Sequence, residues 1–278
     1  MITVNTIHDL RKVRQELPSP VGLVPTMGFL HDGHLSLVQR ASEDCERVIV
    51  SIFVNPTQFG PNEDFDAYPR DIGRDLEKLE QHGVSVVWIP EIDEMYPPGF
   101  QTWVEVRGLS QFLEGKERPG HFQGVVTVVT KLLNAVQPDK AYFGQKDAQQ
   151  AVIIKRLVID LNIPVDIIVC PIIREADGLA MSSRNVYLNQ DQRQAATVLY
   201  QALNKARNSF QSGLTDAEQL RKILAETIES EPLAEIQYVS CANLKTLEEQ
   251  TGEVKQALLS LAVKFGNTRL IDNTIIGQ

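Results

Sequence analysis

Two histidines three residues apart, His31 and His34, stand in the stretch TMGFLHDGHLSLV directly after an apolar run, VGLVP. Gly28 and Gly33 make this stretch a turn that opens into a helix, a geometry that aims backbone N–H groups and the positive helix end at an anion. At this spacing both imidazoles can reach one phosphate group and donate hydrogen bonds to charge developing during a displacement. The same pattern also suits surface histidines on a capped loop, or two ligands of a metal site, for which no third ligand accompanies the pair. Farther along, YFGQKDAQQ sets Gly144, Lys146 and Asp147 between a strand and a helix N-terminus. Glycine permits close backbone approach and the lysine brings mobile positive charge for phosphates, while Asp147 either accepts from nucleotide hydroxyls or caps the helix. MSSRN joins two hydroxyls to a guanidinium, which suits phosphate oxygens or an ordinary linker with a surface arginine. In FVNPTQFG the Asn-Pro-Thr-Gln step reads as a turn, and Gln58 within it offers both a donor and an acceptor.

Such residues need a scaffold, and the apolar runs supply one. VGLVP, RVIVSIF, VSVVWIP, KAYFG and VDIIVCP are nearly continuous in hydrophobicity, as strands covered on both faces must be, and so predict a parallel sheet. Helical patterns alternate with them at His34 to Asp44, Asp71 to His82 and Asp147 to Leu161, the last with Ile154, Leu157, Val158 and Leu161 on one face. GVVTVVTKLLNAVQP has β-branched residues that suit a strand, but its length before Pro138 and the spacing of Val125, Val129, Leu132 and Val136 favour a helix. The alternation predicts a doubly wound, Rossmann-like α/β domain. FVNPTQFG follows RVIVSIF and so falls at the carboxyl end of a strand, where open α/β sheets place ligands.

After Asn185 the pattern changes to QDQRQAATVLYQALNKARNSF and TDAEQLRKILAETIES, read as one helix each, followed by EIQYVSCA, LLSLAVKF and TRLIDNTI as strands. Helices then strands predict a separate, smaller α+β domain, with the boundary between Met181 and Asn189. The division expected is residues 1–180 for catalysis and 181–278 for a small C-terminal lid.

With 278 residues, 43% of them hydrophobic, the chain can bury a substantial core. A formal net charge of −9 and a pI near 5.1 argue against a nucleic-acid or membrane-surface binder, so an anionic substrate must be held by local positive groups. The opening MITVNTIHDLRKVRQ has no apolar signal core, and the expected location is the cytoplasm. Cys45, Cys170 and Cys241 are odd in number and far apart, which indicates neither a disulfide framework nor a zinc site. The acidic stretch NEDFDAYPRD reads as a solvated loop running into a helix rather than as a magnesium cluster.

PTMGFLHDGH resembles the PTMGxLHxGH signature of the pantoate–β-alanine ligase (pantothenate synthetase) family, a variant of the HxGH motif of nucleotidyltransferases and class I aminoacyl-tRNA synthetases. The resemblance continues in order through FVNPTQFGPNEDFDAYPR, LEGKERPGHFQGVVTVVTKL, YFGQKDAQQ, MSSRN and TRLIDN, and covers essentially the whole chain. It implies ligation of pantoate to β-alanine with ATP through a pantoyl adenylate, Mg2+ accompanying the ATP, and a homodimer that binds neither nucleic acid nor membrane. It also implies His34, His31 and Lys146 as catalytic residues. ATP contacts are implied along Met27, Gly28, Phe29, Leu30, His31, Asp32, Gly33 and His34, along Gly144, Gln145, Lys146 and Asp147, at Ile173, and at Met181, Ser182, Ser183 and Arg184. Gln58 and Gln150 are implied as pantoate ligands with Asn55 in support, and Gln145 stands where many members carry Glu. KERPGH, near the family's active-site gate and dimer contact, is assigned no ligand.

Overall fold

The structure, a computed structural model, describes residues 1–61 and 63–277; Asn62 of the acidic stretch lies outside them. The chain divides into two compact units, the first made of residues 1–144 and 150–171, the second of residues 145–149 and 172–278.

In the first unit, strands β1 (Ile2–Val4), β2 (Val21–Thr26), β3 (Arg47–Ile52), β4 (Val86–Trp88), β5 (Lys140–Gly144) and β6 (Asp166–Cys170) form one six-stranded sheet in the order β1-β4-β3-β2-β5-β6. Every pairing is parallel. The crossovers carry helices α1 (Ile7–Glu16), α2 (Asp32–Asp44), α3 (Ile72–Gln81), α4 (Ile92–Met95), α5 (Leu113–Glu117), α6 (His121–Val136) and α7 (Ala148–Asp160). Side chains alternate between two buried layers, as period-two pleating requires. Leu23, Ile49, Trp88 and Phe143 pack with α1, α6 and α7, whereas Val24, Val50, Val87 and Tyr142 pack with α2 and α3. This is the expected doubly wound sheet, and the strand order reverses direction between β2 and β5. GVVTVVTKLLNAV lies within α6, which starts after Gly120 at φ +85 and is capped by Gln137 in the left-handed region, just before Pro138. The acidic stretch from Glu63 on is turn and loop, running into α3, whose first turn is capped by the Asp71 carboxylate accepting from the Arg74 amide at 3.1 Å.

In the second unit, α8 (Gln190–Ala195), α9 (Val198–Gln211) and α10 (Ala217–Glu229) share a core with an antiparallel sheet of β7 (Ala234–Ala242), β8 (Ala257–Phe265) and β9 (Thr268–Ile276). The one helix expected over residues 190–210 is two. The Thr197 and Leu199 amides bond three residues back, to the Gln194 and Ala196 carbonyls, and the Thr197 hydroxyl also donates to the Gln194 carbonyl at 2.8 Å. β1 and α1 were not anticipated: β1 has three residues and is edge-paired to β4 alone, too short for a periodic signal. The second unit takes up Gln145–Gln149 and starts again at Ile172, a division that hydrophobic periodicity does not register.

Candidate active site

Within the first unit, the turn after β2 is built before it is functional. The Thr26 hydroxyl donates to the Ser51 carbonyl at 2.8 Å and accepts the Gly28 amide at 3.2 Å. Gly28 sits at φ +82, where a Cβ would lie 3.0 Å from Ile52 Cγ2 and 3.1 Å from Asp75 Oδ2, so glycine is required both by conformation and by space. The next residue, Phe29, also takes a left-handed conformation at φ +51, unusual for a non-glycine residue. The Phe29 and Leu30 amides both donate to the buried Asp75 carboxylate at 2.7 Å. His31 then caps α2, and His34 follows on its first turn. Their ring centroids are 4.1 Å apart, and the His31 amide points at His34 Nδ1 from 3.4 Å. An acceptor at Nδ1 puts the proton of neutral His34 on Nε2, leaving a donor at the far side of the ring.

The loop after β3 stands beside this turn, because β2 and β3 are neighbours in register. Asn55 is 1% exposed and bonds through both ends of its carboxamide. Its Nδ2 donates to Gln58 Oε1 at 3.0 Å and to the Gly124 carbonyl at 3.2 Å, and its Oδ1 accepts the Thr57 and Tyr96 hydroxyls, each at 2.9 Å. Gln58 Nε2 donates to Met27 Sδ at 3.1 Å, which ties this loop to the histidine turn.

KERPGH and the acidic stretch hold the Gln58 loop from outside. The Gln58 carbonyl accepts from His121 Nδ1 at 2.8 Å and from Arg118 Nη2 at 3.4 Å, and Arg118 makes a two-pronged pair with Glu63 at 2.6 Å. Burial would raise the Glu63 pKa, but the Arg118 pair outweighs it and holds the carboxyl below its usual range. Burial, reinforced by the Arg118 charge 3.2 Å from Nε2, pushes His121 down to about 4. A base whose folded pKa is depressed holds fewer protons folded than unfolded between the two values, so stability falls as pH drops from 6.5 toward about 4, by up to roughly 3 kcal/mol. Melting temperatures measured across this window should show that slope. His121→Asn, which can still donate to Gln58 but carries no titrating ring, should flatten it; an unchanged slope would mean another group titrates.

Within the second unit, Gln145, Lys146 and Asp147 form a 3-10 turn directly before α7, so Asp147 lies in that turn. Asn273, buried on β9, donates both Nδ2 hydrogens, to the Gln145 carbonyl at 3.0 Å and the Lys146 carbonyl at 2.9 Å. Its Oδ1 is thereby fixed as an acceptor and takes Gln145 Nε2 at 3.0 Å. This accounts for Gln145: a glutamate in the same rotamer would set oxygen against oxygen. Asp272 beside it holds the Arg174 guanidinium at 2.6 and 3.0 Å, and Arg174 also lies over the Tyr200 ring at 4.4 Å. The Ile173 carbonyl accepts the Met181 amide at 3.0 Å, and Arg174 bridges Ala180, which folds Ile173–Ala180 back and delivers MSSRN. Ser182 caps the following turn, accepting the Arg184 amide at 3.2 Å. Ser183 is buried and Met181, Ser182 and Arg184 are half-buried.

The first unit thus brings together Met27, the histidine pair, Asn55 and Gln58 around neighbouring strand ends, and the second gathers Gln145–Asp147 by Asn273. Gln150 lies half-buried on the first turn of α7. Asp75, Asn273, Arg118 and His121 were missed as site residues, because each acts through backbone groups of another segment and leaves no local spacing to read. Among the described residues no group of three His, Cys, Asp or Glu side chains is placed to hold a metal ion, and no helix is long and apolar enough to cross a membrane.

The fold is that of an α/β protein with a doubly wound parallel sheet, in which a histidine-bearing glycine turn at the carboxyl end of a central strand leads into a helix N-terminus, where open α/β sheets place ligands. Residues 2–275 match the pantoate-beta-alanine ligase family, and the chain belongs to that family of ATP-using ligases. A pantothenate synthetase from Herpetosiphon aurantiacus is 57% identical over 277 residues, 99% of this chain and 100% of that protein. The crystal structure of a pantothenate synthetase from Thermus thermophilus superposes with a TM-score of 0.94 at 45% identity, covering 99% of each chain. A pantoate-beta-alanine ligase from Francisella tularensis, solved in complex with beta-gamma ATP and beta-alanine, is 38% identical with a TM-score of 0.83, over 99% of this chain and 97% of that one.

Proposed function

We propose that the chain performs its family's reaction, the ATP-dependent ligation of pantoate and β-alanine, in two steps. A carboxylate is a poor acyl donor, since attack by an amine would have to expel oxide. In the first step a pantoate carboxylate oxygen attacks the α-phosphorus of ATP, the bond to the bridging oxygen breaks and pyrophosphate leaves. In the second, the β-alanine amine attacks the acyl carbon of the mixed anhydride, loses a proton and releases AMP, giving pantothenate. Catalysis is positioning and charge stabilisation. The observation that carries this reading is the junction of the His31–His34 turn and the Asn55–Gln58 loop at adjacent strand ends, joined through Met27.

In this reading His34, with its Nε2 proton, and His31 donate to the phosphate charge. Lys146, Ser182, Ser183 and Arg184 share that charge, and Ile173 contacts adenine through its backbone. Gln58 and Gln150 bind pantoate with Asn55 in support. Mg2+ travels on the ATP phosphates, as suits a cation that keeps several of its waters and leans on substrate oxygens. Residues 1–180 supply catalysis and residues 181–278 a lid, in a homodimeric cytoplasmic enzyme.

The amine has no activated carbon to attack until the anhydride exists, so labelled pyrophosphate should exchange into ATP with pantoate present and β-alanine omitted. Absence of exchange, with pyrophosphate released only once β-alanine is added, would exclude a stepwise adenylate in this order.

A further inference from the structure

α3 presents Arg74, Asp75 and Lys78 to the histidine turn, and the three hold consecutive residues of it. The Asp75 carboxylate is fully buried and splits its oxygens, Oδ2 accepting the Phe29 amide and Oδ1 the Leu30 amide, both at 2.7 Å. Lys78 Nζ donates to the Leu30 carbonyl at 2.7 Å, so the Leu30 peptide groups are gripped on both sides from one helix face, three residues apart. The Arg74 guanidinium lies over the Phe29 ring at 5.1 Å. Burial raises the Asp75 pKa, against the pull of the two amides and of the Arg74 and Lys78 charges.

A carboxylate removed from water is costly unless its bonds are made, and here they are made to the residues immediately before His31. They also occupy two amides that a glycine turn would otherwise offer to an anion. The helix start that follows has the amides of Asp32 and Gly33, which an α-helix leaves without intrahelical partners, and carries the His31 and His34 rings. The strained left-handed Phe29 shows that the turn is held by its surroundings rather than by its own preference.

We infer that Asp75 is a positioning residue for the reaction, fixing the Phe29–Leu30 backbone so that His31 and His34 meet the phosphate in register, with Lys78 as its second anchor. The inference rests on the role given above to the two histidines. Asp75 touches neither substrate nor the reacting atoms.

Asp75→Asn preserves shape but sets an NH2 group against one of the two amides in either orientation. It should lower kcat for pantoate-dependent pyrophosphate exchange about tenfold, because small misplacement of catalytic groups is expensive, while KM for ATP and for pantoate stay within about twofold. Lys78→Met, which leaves both Asp75 bonds in place, should lower kcat about threefold, again with little change in KM. A folded Asp75→Asn enzyme with wild-type kcat, or an effect confined to KM or to melting temperature, overturns the inference. If Asp75→Asn does not fold, wild-type kcat in Lys78→Met overturns it equally. Measuring His34→Ala alongside separates the two ideas: loss of exchange in His34→Ala with normal Asp75→Asn removes only the positioning role, whereas full exchange in His34→Ala removes the histidine reading beneath it.

Discussion

His34→Ala should lower pantoate-dependent pyrophosphate exchange by on the order of a hundredfold or more, the loss expected when a preorganised donor to transition-state charge is removed. The expectation follows from where the ring's proton sits. The His31 amide occupies Nδ1 from 3.4 Å, so the donor is Nε2, and alanine deletes it without leaving another group to take its place. Substrate affinity should change far less than rate, since the bond strengthens as charge develops. The fold should survive: residue 34 lies at the first turn of α2, the turn backbone is anchored through Asp75 and Lys78, and alanine is the best helix former. The check is exchange kinetics beside a thermal melt. Near-normal exchange in a folded variant would take His34 out of the chemistry.

Gly124→Ala should also be damaging, for a reason of packing. Gly124 lies in the first turn of α6, and a Cβ there would stand 2.3 Å from the Thr57 carbonyl oxygen, 2.5 Å from its carbon and 2.7 Å from the Gln58 nitrogen. All three are backbone atoms, so no side chain can rotate away. The Gly124 carbonyl also takes Asn55 Nδ2 at 3.2 Å, and displacement of the loop strains this contact together with the Gln58 carbonyl bonds to His121 and Arg118. Overpacking of this kind costs about 1–3 kcal/mol. The loop carries the proposed pantoate ligand, so KM for pantoate should rise tenfold or more while ATP binding changes little. Titration of each substrate against the variant distinguishes this outcome from general destabilisation, which would weaken both. Equal losses for ATP and pantoate, or none, would argue that the Asn55–Gln58 loop is not the pantoate site.

Local spacing nominated His31, His34 and Lys146, whereas Asn-Pro-Thr-Gln by itself reads as a turn and Asn55 and Gln58 are named through the family resemblance. His31 and His34 stand on one turn, Asn55 and Gln58 on the next loop, and Lys146 between a strand and a helix, each directly after an apolar run whose hydrophobicity marked it as a buried parallel strand. The residues that hold them were not legible. Asp75 lies 46 positions from Phe29, and Asn273 lies 128 positions from Gln145. Asp75 sits in an amphipathic helix and reads there as one more surface charge, yet it is fully buried. His121 gave no sign that it would be held neutral, since that depends on burial and on Arg118 beside it.

By itself, then, the sequence determined the doubly wound sheet, the smaller α+β region and the family, and it nominated the side chains proposed to meet phosphate and a small acid, because periodicity and contiguous motifs are properties of neighbouring residues. The tertiary structure decided what those side chains are worth. It set which His34 nitrogen carries the proton, which turn amides are already spent on Asp75, why residue 145 can be glutamine, and why position 124 has no room for a methyl group. Apart from the His34 contact, which lies within one turn, each of these is settled by a backbone N–H or carbonyl meeting a group from a distant element, and backbone groups are the same in every residue, so no letter in the sequence announces them.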